Sequence, residues 1–386
     1  MSQWLPNAMA KQCRGQQDTW GGCQKMQIVD IIDGKCDNLL IRQFPGAERL
    51  IFAFSHVDYP AGKFAMTNVF TSGDFRANII FINCRDNSWY QNGINQEYDS
   101  IEKCRNLFEE LLQYFAPNRT LAVGMSMGGY AAVLFGLLLD LDYVTAFTPE
   151  IILDLPYCRS VTLNKLRSYD FRHISLQYLL SANRRTVVNA IYGAYDLIDL
   201  ALLWPISHLL GNEDNKLRVT FCSEGHQVPL ALDVGNLVRG TFVVGQLQPR
   251  DIRAGIVLRT QHSQSELYAY WRSMHYRVTG DLNSANAVLT SESDFSKLSW
   301  MNLFLAENYR DAADPDRAID YFSLTAEQDP TSHYAWFRLA LFAESQSKID
   351  MAINAGQKAL SLKPGDIVTA RFLEKLAGTT AQVVAS

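Results

Sequence analysis

The sequence has seven cysteines but no pair at Cys-x-x-Cys spacing. An odd number without the spacing of a metal knuckle excludes a disulfide framework and a structural zinc site as organising devices. Reduced thiols acting as small core side chains, in a cytoplasmic setting, fit better. Blocks of basic charge are also missing. The 35 basic and 40 acidic residues are interspersed, and a net charge of -5 gives nucleic acid no electrostatic footprint. No apolar run approaches the roughly 20 residues of a membrane span; the longest lies around "AAVLFGLLL". The opening "MSQWLPNAMAKQCRGQQ" has no charged end followed by an apolar core, so a leader peptide is not expected. Nothing in the sequence calls for a metal or another cofactor. What remains is ordinary globular composition, 48% apolar and 19% charged over 386 residues, enough for two or three domains.

Two regions differ in rhythm. From residue 26 to about 222, short apolar or β-branched runs alternate with helical stretches: "QIVDII", "NLLIRQ", "RLIFAFS", "NIIFIN", "TLAVGM", "YVTAF", "TVVNAIY" and "LRVTFC". Several are apolar throughout, as strands covered on both faces must be. Between "NIIFIN" and "TLAVGM", Ile101, Cys104, Leu107, Phe108, Leu111 and Leu112 share one helical stripe that Pro117 closes. This order predicts an α/β fold with a doubly wound, mostly parallel sheet over residues 1–245, and "VGQLQPRDIRAG" reads as the core of a linker over 246–260.

Residues 261–386 have no strand pattern. Aligning 299–332 with 333–366 superposes Leu305 and Ala306 on Leu339 and Ala340, Ala318 on Ala352, and Pro330 on Pro364. Small residues let two antiparallel helices approach, large ones such as Tyr309, Phe322 and Trp336 fill the groove, and proline ends the second helix. The 34-residue period and this pattern resemble the tetratricopeptide repeat, which implies an all-α array. Residues 262–295 would be a degenerate first unit and "ARFLEKLA" a capping helix. Two or three such units offer a modest surface for a protein partner or for self-association.

The stretch "LAVGMSMGGYAA" sets Ser126 between Gly124 and the pair Gly128 and Gly129, directly after a strand pattern and directly before a helix pattern. Gly-x-Ser-x-Gly in that context is a nucleophile elbow, in which a tight turn lifts a serine hydroxyl above the end of a sheet. Such a serine needs a base and a carboxylate to orient the base. After "TVVNAIY", the stretch "GAYDLIDL" offers Asp196 and Asp199; Asp196 is favoured because a Gly-x-x-Asp turn sets it at the strand's mouth. After "LRVTFC", the stretch "SEGHQVP" offers His226. Of the seven histidines, only this one follows a strand behind both serine and acid.

With Ser126, the acid and His226 in that order, residues 26–240 resemble the α/β-hydrolase superfamily, in particular bacterial "SMGGYAA" hydrolases often fused to repeats or found beside polysaccharide genes. The resemblance implies Ser126 as nucleophile, His226 as base and Asp196 as orienting acid. It implies an oxyanion hole made by the backbone N–H of Met127 and one from the loop after "LIFAFS", at Ser55 or His56. "FSHVDYPAG" departs there from the His-Gly-Gly-Gly stretch of lipases. Residues 150–185 are long enough for a small cap over the serine, and Trp89 and Tyr90 stand where they could line a substrate pocket. The expected activity is that of a serine esterase working through an acyl-enzyme on a small ester or acylated glycan. The alternatives are acyl transfer onto polysaccharide, or a non-catalytic scaffold binding protein through its repeats.

Overall fold

The computed structural model describes residues 28–32, 34, 36–70, 75–84, 86–163, 173–210, 216–244, 258–259, 263–292 and 294–385. Residues 1–27, most of the expected linker and residues 164–172 of the expected cap lie outside the described residues. The first described element is a short helix, α1 (Ile28–Ile32), where "QIVDII" predicts a strand. Its β-branched residues favour a strand, but Ile31 is fully buried with the helix packed on the first strand, and tertiary packing overrides propensity.

There follow β1 (Leu39–Arg42), β2 (Arg49–Phe54), β3 (Ala77–Ile82), α2 (Ile101–Phe115), β4 (Arg119–Met125), α3 (Met127–Leu138) and β5 (Tyr143–Phe147). Next come α4 (Arg159–Leu163), α5 (Gln177–Ala182), β6 (Val187–Gly193), α6 (Leu197–Ala201), β7 (Leu217–Cys222), α7 (Val234–Val244) and β8 (Leu258–Arg259). They form one eight-stranded sheet in the order β1-β3-β2-β4-β5-β6-β7-β8. The strands from β3 to β7 in that order are parallel, and β1 and β8 pair antiparallel at the edges.

Alternate residues of the central strands feed two separate apolar clusters. Phe52 and Phe54 of β2 pack with Phe108 of α2 and Phe135 of α3 on one face. Ile51 and Ala53 join Leu121, Val123 and, from α7, Leu237 and Val238 on the other. Burial on both faces is the reason these strands read as continuous apolar runs. In α2 the Ser100 hydroxyl accepts the Lys103 N–H at 3.2 Å, and the helix ends at Ala116 with φ 40.

The helical part comprises α8 (Gln264–Val278), α9 (Leu282–Leu289), α10 (Ser299–Asp311), α11 (Pro315–Gln328), α12 (His333–Ser345), α13 (Ile349–Leu362) and α14 (Ile367–Ala385). Ala306, Ala318, Ala340 and Ala352 are all fully buried where paired helices approach, and Pro315 opens α11 behind the Asp314 cap. The stretch 262–295, expected as a degenerate first unit, folds as the helix pair α8–α9. The stretch read as a linker contributes β8, which pairs with Phe221 and Cys222 of β7. The two parts also share one apolar cluster, with α8 packed on α6 and Tyr268 edge-on to Trp204 at 5.1 Å.

Candidate active site

Ser126 sits at the junction of β4 and α3 with φ 54 and ψ -118, a left-handed conformation that an L-residue holds only under constraint. The sequence imposes it locally. A Cβ on Gly124 would lie 2.1 Å from the Gly128 carbonyl oxygen, and one on Gly128 would lie 2.3 Å from that of Phe54. Only glycine allows strand, turn and helix to close this tightly. The Ser126 N–H donates to Phe147 O of β5 at 2.8 Å, and the Tyr130 N–H donates to Ser126 O at 2.9 Å. The Ser126 side chain makes no capping hydrogen bond to α3, so its hydroxyl is not spent on the helix.

His226 follows β7 and hangs from the same strand end as the serine. Thr148, the residue after Phe147, donates its hydroxyl to His226 O at 3.4 Å. The imidazole Nδ1 lies 2.7 Å from Asp199 Oδ2. The carboxylate on His226 is therefore Asp199, and the preference for Asp196 is not met by the geometry. Asp196 is the N-cap of α6: its Oδ1 accepts the Asp199 N–H at 3.0 Å, and its Oδ2 pairs with Arg159 at 2.7 Å. Asp199 stands three residues on, in the first helical turn, where a side chain leans back over the strand ends.

Arg159, from α4, has no sequence motif to announce it. Its Nη1 lies 2.5 Å from Asp199 Oδ1 while Nη2 holds Asp196, so one guanidinium spans both carboxylates. Fully buried Glu150 accepts the backbone N–H groups of Arg159 at 2.5 Å and Ser160 at 2.9 Å, anchoring α4. Burial raises the Glu150 carboxyl to about 7.

Burial drives the His226 imidazole down, but the charge and hydrogen bond of Asp199 more than compensate, leaving it above its ordinary value; Arg159 opposes that rise. A general base must be neutral, so turnover should fall as pH drops through this raised value. Removing the guanidinium in Arg159→Gln removes a positive neighbour, so the acid limb of kcat/KM should move to higher pH. Paired pH–rate profiles check this; a limb that stays in place or moves lower takes Arg159 out of the imidazole's field.

The loop after β2 supplies backbone donors. The Ser55 N–H is used, donating to Ile82 O at 2.8 Å, and its hydroxyl accepts the Ala65 N–H at 3.0 Å. Ser55 is thus part of the sheet's extension, and the candidate donors narrow to the N–H groups of His56 and Met127. Burial lowers the His56 imidazole, and the nearby His226 lowers it further. Trp89 and Tyr90, expected as pocket wall, are both fully buried. Tyr90 donates its hydroxyl to Ser55 O at 3.0 Å, with Ile82 O at 3.2 Å, so its place is that of a strut holding the Ser55–His56 turn.

No family model matches the sequence, and no curated protein matches it. Among solved structures, the chain is similar to the capsule O-acetyltransferase of Neisseria meningitidis serogroup A at 17% identity, covering 49% of this chain and 84% of that one with a TM-score of 0.37. It is similar to a "predicted CIB-like hydrolase" from Thermoplasma acidophilum at 13% identity, over 52% and 92% of the two chains with a TM-score of 0.34. It is also similar to MamA at 20% identity, over 30% and 68% of the chains with a TM-score of 0.28. Each likeness is at low identity and covers about half of this chain or less.

Proposed function

We propose that this chain is a serine hydrolase that cleaves small esters through an acyl-enzyme on Ser126. The observation that carries the reading is the 2.7 Å contact of His226 Nδ1 with Asp199, on loops beside a serine held at φ 54. With Nδ1–H donated to the carboxylate, Nε2 is the free nitrogen. It takes the Ser126 proton as the hydroxyl oxygen attacks the ester carbonyl. The N–H groups of Met127 and His56 receive the oxyanion, and each such donor is commonly worth about 10²–10³ in rate. The imidazolium then protonates the departing alcohol. Deacylation repeats the sequence with water, or with a glycan hydroxyl if acyl transfer is the outcome.

Ser126 is 4% exposed, which favours a short acyl group such as acetyl over a long chain. A fluorophosphonate probe should label the wild type on the Ser126 peptide. On p-nitrophenyl esters, kcat/KM should fall steadily from acetate to octanoate. Labelling elsewhere removes Ser126 from the chemistry, and a preference for octanoate removes the short-acyl reading.

A further inference from the structure

Residues of the helical repeats reach the two loops that carry the imidazole and its carboxylates. Tyr334, in the first turn of α12, lies against Gly225, the residue before His226. A Cβ on Gly225 would stand 2.8 Å from the Tyr334 ring carbon Cε2 and 2.9 Å from its hydroxyl oxygen. The same ring stacks on Tyr195, the residue before Asp196, with centroids 5.6 Å apart and planes 20° from parallel. Tyr195 is buried, and its hydroxyl donates to Asp329 at 2.7 Å and lies 2.9 Å from Ser299 Oγ. Its N–H donates to Glu224 O at 3.0 Å, joining one loop to the other. The Tyr334 ring is itself held. Arg338 reaches its hydroxyl at 3.1 Å and is ion-paired with Glu307 at 2.6 Å. Tyr334 and Arg338 both lie within the field of Asp196.

We propose that Tyr334 is a positioning residue of the catalytic site, its ring wedged between the loop of the base and the turn of the acid so as to set where His226 stands over Ser126. The proposal rests on the serine hydrolase reading. Its physical basis is the glycine at 225. Without a Cβ the loop has room for the ring, and without the ring it has a wide choice of backbone conformations. Another hold on the His226 backbone from outside the loop, the 3.4 Å bond from Thr148, is long. The repeats then serve the chemistry from within the chain, and the end of α12 that carries Tyr334 is already occupied by the chain's own loops.

The test uses the full chain and four variants: Tyr334→Ala, Tyr334→Phe, Gly225→Ala and Ser126→Ala. On p-nitrophenyl acetate, Tyr334→Ala should lose on the order of 10²-fold in kcat, the cost of misplacing a catalytic group by about 1 Å, at nearly unchanged KM. Its circular dichroism should match the wild type. Tyr334→Phe keeps the ring and should stay within a few-fold. Gly225→Ala, which drives a methyl into the ring, should also lower kcat, and it decides the matter if Tyr334→Ala does not fold. A folded Tyr334→Ala or Gly225→Ala chain with wild-type kcat overturns the proposal alone, as does an equal loss in the Phe and Ala variants. A wild-type activity that Ser126→Ala leaves intact overturns the hydrolase reading, and this proposal with it.

Discussion

Asp199→Asn should lower kcat by about 10⁴-fold, the usual cost of presenting the imidazole in the wrong tautomer. The asparagine keeps size and shape, but its amide can donate to Nδ1, which leaves the proton on Nε2 where the serine needs an acceptor. Asp196→Asn should cost far less. Asparagine caps a helix about as well as aspartate, so the bond to the Asp199 N–H survives, and the loss is one partner of Arg159. That loss still matters somewhat, because the guanidinium spanning both carboxylates steadies Asp199. Measuring kcat for the two variants side by side decides between them; the reverse ranking returns the orienting role to Asp196.

Ser126→Ala should lower turnover by at least about 10³-fold while leaving the fold as it is. Alanine retains the Cβ, so the backbone strain at φ 54 is unchanged, and the missing hydroxyl removes no capping bond from α3. Ester turnover and thermal unfolding on the same preparation separate the two effects. Turnover near wild type would mean that the elbow carries no nucleophile.

The strands and the elbow were legible because each is dictated locally. A parallel strand buried on both faces must be apolar along its buried length, as "LIFAF" is, and a serine turn pressed between strand and helix needs glycine at 124 and 128. The choice between Asp196 and Asp199 was not local. Both carboxylates lie in one helical turn, and which of them meets the imidazole depends on where β7 delivers His226. Two acidic residues spaced as N-cap and first-turn partner were a signal that the first would be spent on the helix. Arg159 could not be found by pattern, since its importance comes from a segment folding back over a loop some 40 residues away. Trp89 and Tyr90 follow a strand at the expected end of the sheet, yet aromatic side chains there serve as wall or foundation alike, and burial made them foundation. Ser55 and His56 were indistinguishable until β3 claimed one of their two N–H groups. In α1, five residues were too few for periodicity to outvote β-branched composition.

The small strand β8 gives the junction between sheet and repeats a second duty. A border strand left bare presents a row of unsatisfied N–H and C=O groups, an open template for a neighbouring chain. Leu258 and Arg259 cover that border at Cys222 and Phe221, immediately before the loop that carries His226. The connection is therefore a selvedge as well as a tether. Nature or an engineer exchanging the repeats for another module would have to preserve it, since an arbitrary spacer would join the two units and still leave the fabric of the sheet free to ravel into its neighbours.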